Sequence, residues 1–492
     1  MDSVLLTAIV FTPLIGAAFI ALFLRQQGII RKFAILVALL NFGLTVVAFS
    51  AYDHAQGGLQ LVVREPWIVP LDVEFFIALD GLNTPLVLLT GLLGLVAVLA
   101  SWNVNVRPRE YFSWLLLLQT SVMGVFVSLD FVLFFVFWEL ELIPLYFLIS
   151  IWGTGRKEYS AMKFLLFTLF GSAFMLVGIL VLYFSTGTFD MVALGQSDLG
   201  NLLIPTQLIF GFFFLAFAIK LPTWPVHSWL PDAHTDAPTA GSVMLAGVLI
   251  KMGGYGLIRV CIGMFPGPAR EYAWILITLG VISIIYGAVV TIRQTDLKRL
   301  IAFSSISHMG FVLVGISSVG AAAGEISPVG LNGAAIQMFT HGTITGLLFL
   351  LVGFIYEKTH TRYIPDLSGL ASRMPFLTIF FVIAGLASLG LPGLSGFVAE
   401  LVVFLGAFFV WSWPTAVAVF GIVLTAGYIL WMIQRVMFGP VLARYATIGD
   451  ATLIERIPVL LLFVSILVVG IYPAVISDVF LSGISPIVFR FS

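Results

Sequence analysis

Six residues could do acid–base chemistry from inside hydrocarbon. Glu139 sits in FFVFWELELIPLYF, Lys220 in LAFAIKLPTW, Lys251 at the end of AGVLIK, His308 in SSISHMG, His341 in FTHGTIT and Glu400 in GFVAELVVF. A charged side chain at the centre of a membrane helix costs about 2.5–3.5 kcal/mol or more, so such residues mark polar paths, relays or counter-ions. Carboxylates, amines and imidazoles on separate segments form a set that can pass a proton on and then reset. Each has a bland counterpart: a neutral hydrogen-bonded core histidine, a lysine snorkelling to a surface, a glutamate in an outer vestibule. The recurrence of all six within apolar runs favours a relay.

The densest stretch runs from Leu215 to Lys251. Lys220 lies in an apolar run that breaks on Pro222 and Pro225; His227, Asp232, His234 and Asp236 follow, and a second apolar run carries Lys251. Proline removes a backbone donor, and freed groups at membrane depth are tolerated only against protein or water. His227, His234 and Asp232 are therefore supporting candidates. Glu139 lies about eight residues into its helix, roughly 12 Å deep. Glu141 is two positions on, roughly 200° around a straight helix, so the two carboxylates point apart. The expected switching pair is Glu139–Lys220, with Glu141 needing a separate partner. At about 4 Å and an effective dielectric near 20 such a pair attracts by about 4 kcal/mol.

The elements that must position these groups are membrane helices. The chain has 492 residues, 60% hydrophobic and 10% charged, against about 25% charged in soluble domains; mean hydropathy is +1.12. An all-α polytopic membrane protein is expected. A net charge of −1 gives no field to recruit nucleic acid. The single cysteine, Cys261, excludes an intrachain disulfide or cysteine-based cluster. No basic region precedes the first apolar run, which reads as a retained helix.

Spans fall near 4–24, 30–50, 78–101, 110–128, 131–151, 161–184, 205–229, 237–259, 272–292, 299–318, 329–356, 375–411, 414–438 and 457–477, about fourteen in all. The seventh is broken by Pro222 and Pro225. The twelfth is too long for one span and unwinds near Pro392 and Gly393, in LPGLSG. With the N-terminus outside, seventeen of the 23 Lys and Arg fall on the inner side, four on the outer and two within spans. That bias supports fourteen helices with both ends outside. The breaks lie five helices apart. This divides the chain into N-terminal helices (1–109), two inverted five-helix repeats (110–259 and 272–438) and a C-terminal helix (439–492); paired interruptions of this kind point to a transport pathway.

The motifs FWELELIPLYFLI, KLPTWPVHSWLPDAHTDAP, DLKRLIAFSSISHMGF and LPGLSGFVAEL resemble those of the antiporter-like subunits of respiratory complex I, over about residues 75 to 440. The resemblance implies a glutamate on helix five paired with a lysine on helix seven, matching Glu139 and Lys220, with Lys251, His308 and His341 continuing the relay. The L and N types carry a lysine on helix twelve and the M type (chain 4) a glutamate, which Glu400 fits. The resemblance further implies neighbouring membrane-arm subunits and no cofactor in this chain, flavin, iron–sulfur clusters and quinone residing in partner subunits. Its setting is a bacterial inner membrane or a thylakoid. The expected activity is proton translocation coupled to quinone reduction by NADH or a related donor. Subunits of a multisubunit sodium/proton antiporter or of a membrane-bound hydrogenase are the alternatives.

Overall fold

The computed structural model describes residues 2–197, 199, 202–321 and 326–491. Almost every element is a helix, as a chain immersed in lipid requires, because a helix satisfies its own backbone donors and acceptors. Among the described residues twelve helices are long and apolar enough to cross a membrane, and four shorter apolar ones accompany them. In chain order the bundle comprises α1 (Asp2–Phe23), α2 (Gln27–Ala51), α3 (Thr84–Ala100), α4 (Pro108–Val127), α5 (Phe131–Trp152), α6 (Lys157–Thr186), α7a (Thr206–Lys220) and α7b (Trp229–Asp236). It continues with α8 (Thr239–Ile262), α9 (Ala273–Ile292), α10 (Leu297–Gly320), α11 (Val329–Thr359), α12a (Pro375–Ser388), α12b (Ser395–Phe408), α13 (Ser412–Met437), α14 (Leu453–Ile471) and α15 (Ala474–Val488).

The expected breaks are present, in the seventh helix over Leu221–Ser228 and in the twelfth over Leu389–Leu394. Three expectations need correction. Residues 78–101 do not form one helix: Gln60–Ile68 and Val73–Leu79 pair as an antiparallel β-hairpin. The run VEFFIAL is as apolar as a buried helix segment, and periodicity cannot separate the two over so few residues. The Asp80 carboxylate then accepts from the Leu82 and Asn83 amides at 2.9 and 3.0 Å, a turn that delays α3 until Thr84, with Pro85 in its first turn. The last helix ends at Ile471 rather than 477, because Pro473 cannot continue it. The C-terminal segment holds a further helix, α15, which the expected fourteen did not include.

Burial is graded across the bundle. The apolar windows of α10 and α11 are 100% enclosed by protein and that of α8 94%, whereas those of α1, α2 and α6 are 33–39% enclosed. His308, His341 and Lys251 therefore lie on helices among the best enclosed by protein. Close approach inside this core rests on glycine: a Cβ on Gly253 of α8 would stand 2.6 Å from both the Leu221 amide nitrogen and the Phe217 carbonyl oxygen. That contact seats α8 directly on the end of α7a, beside Lys220.

Candidate functional site

Lys220 is the last residue of α7a. Pro222 cannot supply a helical N–H and biases Leu221 away from the helix, so the ammonium is delivered at the break. Trp229 of α7b stitches the break by donating its indole N–H to the Ile219 carbonyl at 2.9 Å.

The carboxylate in direct contact with Lys220 is Glu141, not Glu139. Both partners are buried, at 1% and 0% side-chain exposure. The expectation treated α5 as a straight helix. In fact α5 is interrupted by a turn at Glu141, between Phe131–Leu140 and Leu142–Trp152. Pro144 lacks the N–H that would bond the Leu140 carbonyl, and the loosened turn aims Glu141 at Lys220. Glu139 remains close: it is half-buried, within electrostatic reach of Lys220, and its Oε1 is enclosed without a hydrogen-bond partner. The Lys220 ammonium also lies 5.3 Å from the Trp138 ring and 5.6 Å from that of Phe164. Lys220 thus faces two carboxylates and two aromatic faces.

Lys251 is fully buried, which excludes snorkelling. It stands between two π-helical segments, Leu245–Leu249 and Leu257–Ile262. Its ammonium donates to the Ala246 carbonyl inside the first of these and lies 2.7 Å from His341 Nδ1. An ammonium has only donors, so Nδ1 must accept, which puts the ring proton of a neutral His341 on Nε2. That nitrogen is enclosed without a partner. The His308 ring is next, 5.5 Å away between centroids.

Both nitrogens of His308 face carbonyl oxygens: Nδ1 lies 2.7 Å from Ser304 O, and Nε2 lies 2.9 Å from Ser388 O. Only a ring carrying two protons satisfies both acceptors. Glu400 Oε1 stands 3.9 Å from Nε2, close enough to balance the charge whenever the ring carries both protons. The break in the twelfth helix makes this junction, with Ser388 ending α12a and Glu400 lying in α12b. The Glu400 carboxylate packs over the backbone of Gly390, where φ is +79° and a Cβ would stand 2.7 Å from Oε2. No side chain fits there. His308, Gln337, Thr340, His341, Ser388 and Glu400 border a cavity offering ≈ 10 Å³ to the centre of a water molecule, about enough for one. Glu400 itself is 4% exposed, so it does not occupy an open vestibule.

Among the supporting candidates, His234 is fully buried and stacked on Phe349 at 4.6 Å. Both its ring nitrogens lack partners, and it lies within electrostatic reach of Lys251, Lys298 and His341. It belongs with the central set. His227 packs edge-on against Tyr286 at 5.0 Å with Nδ1 unpartnered. Asp232 stands apart, paired with Lys163 at 2.8 Å and Arg299 at 3.4 Å. Glu141 and Lys298 were missed by the sequence reading as site residues. Pro144, three residues after Glu141, was the available signal for the first. Lys298 was counted as a loop cation, yet it is buried and donates to the Ala237 carbonyl at 2.6 Å.

A bundle with two broken helices and an enclosed row of acids, amines and imidazoles defines an antiporter-like membrane protein. Residues 128–425, which contain all six relay candidates, match the transmembrane family of NADH:quinone oxidoreductases and Mrp antiporters, and the chain belongs to that family. It is an integral, multi-pass membrane protein. It is 43% identical over 486 residues to an NAD(P)H-quinone oxidoreductase chain 4 of Synechococcus elongatus, covering 96% of this chain and 90% of that one. It is 39% identical over 491 residues to the NADH-quinone oxidoreductase subunit M of Rhodobacter capsulatus, covering 96% and 94%. Among solved structures, a chain of respiratory complex I from Thermus thermophilus superposes with a TM-score of 0.88 at 29% identity, covering 98% and 99%. A chain of the Mrp complex from a Dietzia species, at 0.86 and 21% identity over 98% and 97%, shares the fold.

Proposed function

We propose that this chain is a proton-translocating membrane-arm subunit of an NADH- or NAD(P)H-quinone oxidoreductase. The observation that carries this reading is the enclosed series Glu139/Glu141–Lys220, Lys251–His341 and His308–Glu400. Lys220 rests on Glu141 and can transfer to Glu139, whose free carboxylate oxygen is within electrostatic reach. That exchange switches how tightly the Lys220 proton is held. The attraction available, about 4 kcal/mol at 4 Å, exceeds the roughly 2.3 kcal/mol needed to move one charge against 100 mV. Only the difference between the two pairings changes the hold on the proton, so the two approaches to Lys220 must be unequal. His234 lies within electrostatic reach of Lys251, and His341 and His308 pass the proton toward Glu400, the outward exchange site.

The redox chemistry belongs to partner subunits carrying flavin, iron–sulfur clusters and quinone, with no redox site in this chain. Both termini face the proton-receiving side of a bacterial inner membrane or a thylakoid, as the Lys/Arg bias supports. The broken helices support two inverted units, 110–259 and 272–438. The alternatives, a subunit of a sodium/proton antiporter or of a membrane-bound hydrogenase, are less favoured because Glu400 occupies the helix-twelve position and the quinone oxidoreductase relatives match almost end to end. The decisive experiment is Lys220→Ala in the assembled complex, reconstituted in vesicles. Proton pumping driven by quinone reduction should fall at least tenfold with the complex intact; near-normal pumping would overturn the proposal.

A further inference from the structure

The face between α1 and α4 carries an open groove that the relay does not use. Its walls are Leu14, Ala17, Ala18 and Ala21 on α1 and Trp114 and Leu117 on α4, and it offers ≈ 350 Å³ to the centre of a water molecule. The three alanines hold the wall back, and the Ser113 hydroxyl bridges to the Ala17 carbonyl at 3.2 Å as its floor. Arg109 and Glu110 stand at one end, and Arg109 is the free charge of the two. Its neighbour Glu110 is engaged by Arg107, and Arg109 itself has no carboxylate partner among the described residues. More cations gather at the same end. Arg31, at the start of α2, donates to the Val104 carbonyl and to Asn105 at 2.9 and 2.6 Å, so the α1–α2 turn, with Arg25 and Lys32, lies against the α3–α4 turn. From Arg109 to Leu117 the groove runs about 12 Å along the helix axis.

We infer that this groove binds one anionic phospholipid, its phosphate on Arg109 and one acyl chain between α1 and α4. Charge complementarity selects this occupant. An apolar slot of acyl-chain shape that opens at a headgroup-level cation without a counter-ion suits a ligand with one apolar tail and one negative head. Basic pockets between membrane helices recognise anionic headgroups in this way.

The test uses the assembled complex, stripped of lipid and titrated with acyl-diazirine phosphatidylglycerol or phosphatidylcholine, followed by illumination and peptide mapping. Phosphatidylglycerol should label the segments 14–21 and 113–117 in preference to phosphatidylcholine. Arg109→Gln should lower that labelling about fivefold, the effect of one basic group near the surface, and Arg109→Lys should restore most of it. Ala18→Trp should block the slot to both lipids. Equal labelling by the two lipids with no effect of Arg109→Gln means ordinary boundary lipid, and overturns the inference. Absence of labelling there, because a neighbouring subunit covers the groove, overturns it too. Arg109 is solvent-exposed, so its substitutions leave the fold intact and the result interpretable.

Discussion

The two carboxylates facing Lys220 make a linked prediction under the same chemical change. Glu139→Gln removes the second carboxylate, keeps an amide group for Ser172 and leaves the Glu141–Lys220 ion pair untouched. Stability should stay within about 0.5 kcal/mol of the parent, as for a change that breaks no pairing, while pumping falls at least tenfold because Lys220 has nowhere to transfer. Glu141→Gln removes the resting partner. Breaking a buried pair ordinarily costs 3–5 kcal/mol, roughly, because it strands a charge. Here Glu139 can accept Lys220, so the cost should be well below that range, and pumping is again lost because the lysine stays on one side. Replacing both should cost the full amount, about 3–5 kcal/mol, giving a coupling between the sites that a double-mutant cycle reads directly. The assays are unfolding of the purified complex by denaturant or heat and proton uptake by vesicles during quinone reduction. Two results would refute the exchange: Glu139→Gln pumping normally, or Glu141→Gln alone destabilising as much as the double substitution.

Three further perturbations follow from the same geometry. Glu400→Gln leaves His308 without its counter-charge; pumping should drop several-fold with an altered pH profile, and Glu400→Asp should recover part of it, measured in the same vesicles. Gly253→Ala pushes a methyl into the backbone of Phe217 and Leu221; overpacking of this kind costs about 1–3 kcal/mol, so both the melting temperature and the pumping rate should fall, while Gly263→Ala, where the nearest atom is 3.4 Å away, should be mild. Asp130, between α4 and α5, caps α5 by accepting from the Val132 and Leu133 amides, yet burial pushes its carboxyl up to about 6 from 3.8. Between those values the folded state holds more protons than the unfolded one, so stability from this group falls as pH rises through the window; Asp130→Asn, which keeps the capping oxygen, should flatten that stretch of the melting temperature–pH curve.

The sequence exposed most of this site because charge inside an apolar run is costly and therefore conspicuous. Lys220, Lys251, His308, His341 and Glu400 all lie where their apolar surroundings placed them, enclosed by the bundle. The pairing of Lys220 was misread for a geometric reason. A helical-wheel argument assumes an unbroken helix, and α5 turns at Glu141; the proline three residues later was visible but unweighed. The β-hairpin was missed because most of it fell between two expected spans, with only Ala78 and Leu79 inside the third. The π segments beside Lys251 have no residue signature at all. They arise from packing against α3, α7a and α11, so only the folded bundle shows how the Ala246 carbonyl comes within reach of the lysine.

The charges along the proposed path are not evenly matched, and the mismatch bears on direction. Lys220 is balanced by Glu141, with Glu139 in reserve. His308 has the Glu400 carboxyl 3.9 Å away. Lys251, between them, meets a backbone carbonyl and an imidazole nitrogen and no carboxylate among the described residues. A proton on Lys251 therefore sits on neutral acceptors alone, in surroundings where an unpaired charge is costly. It is a place to pass through rather than to rest. Whether the proton leaves toward Lys220 or toward His341 then depends on which carboxylate Lys220 has chosen, because moving the ammonium between them changes the field at Lys251. Shifting one lysine by a single carboxylate at α5 would in this way set the direction of transfer at α12b, with no large movement of the helices between.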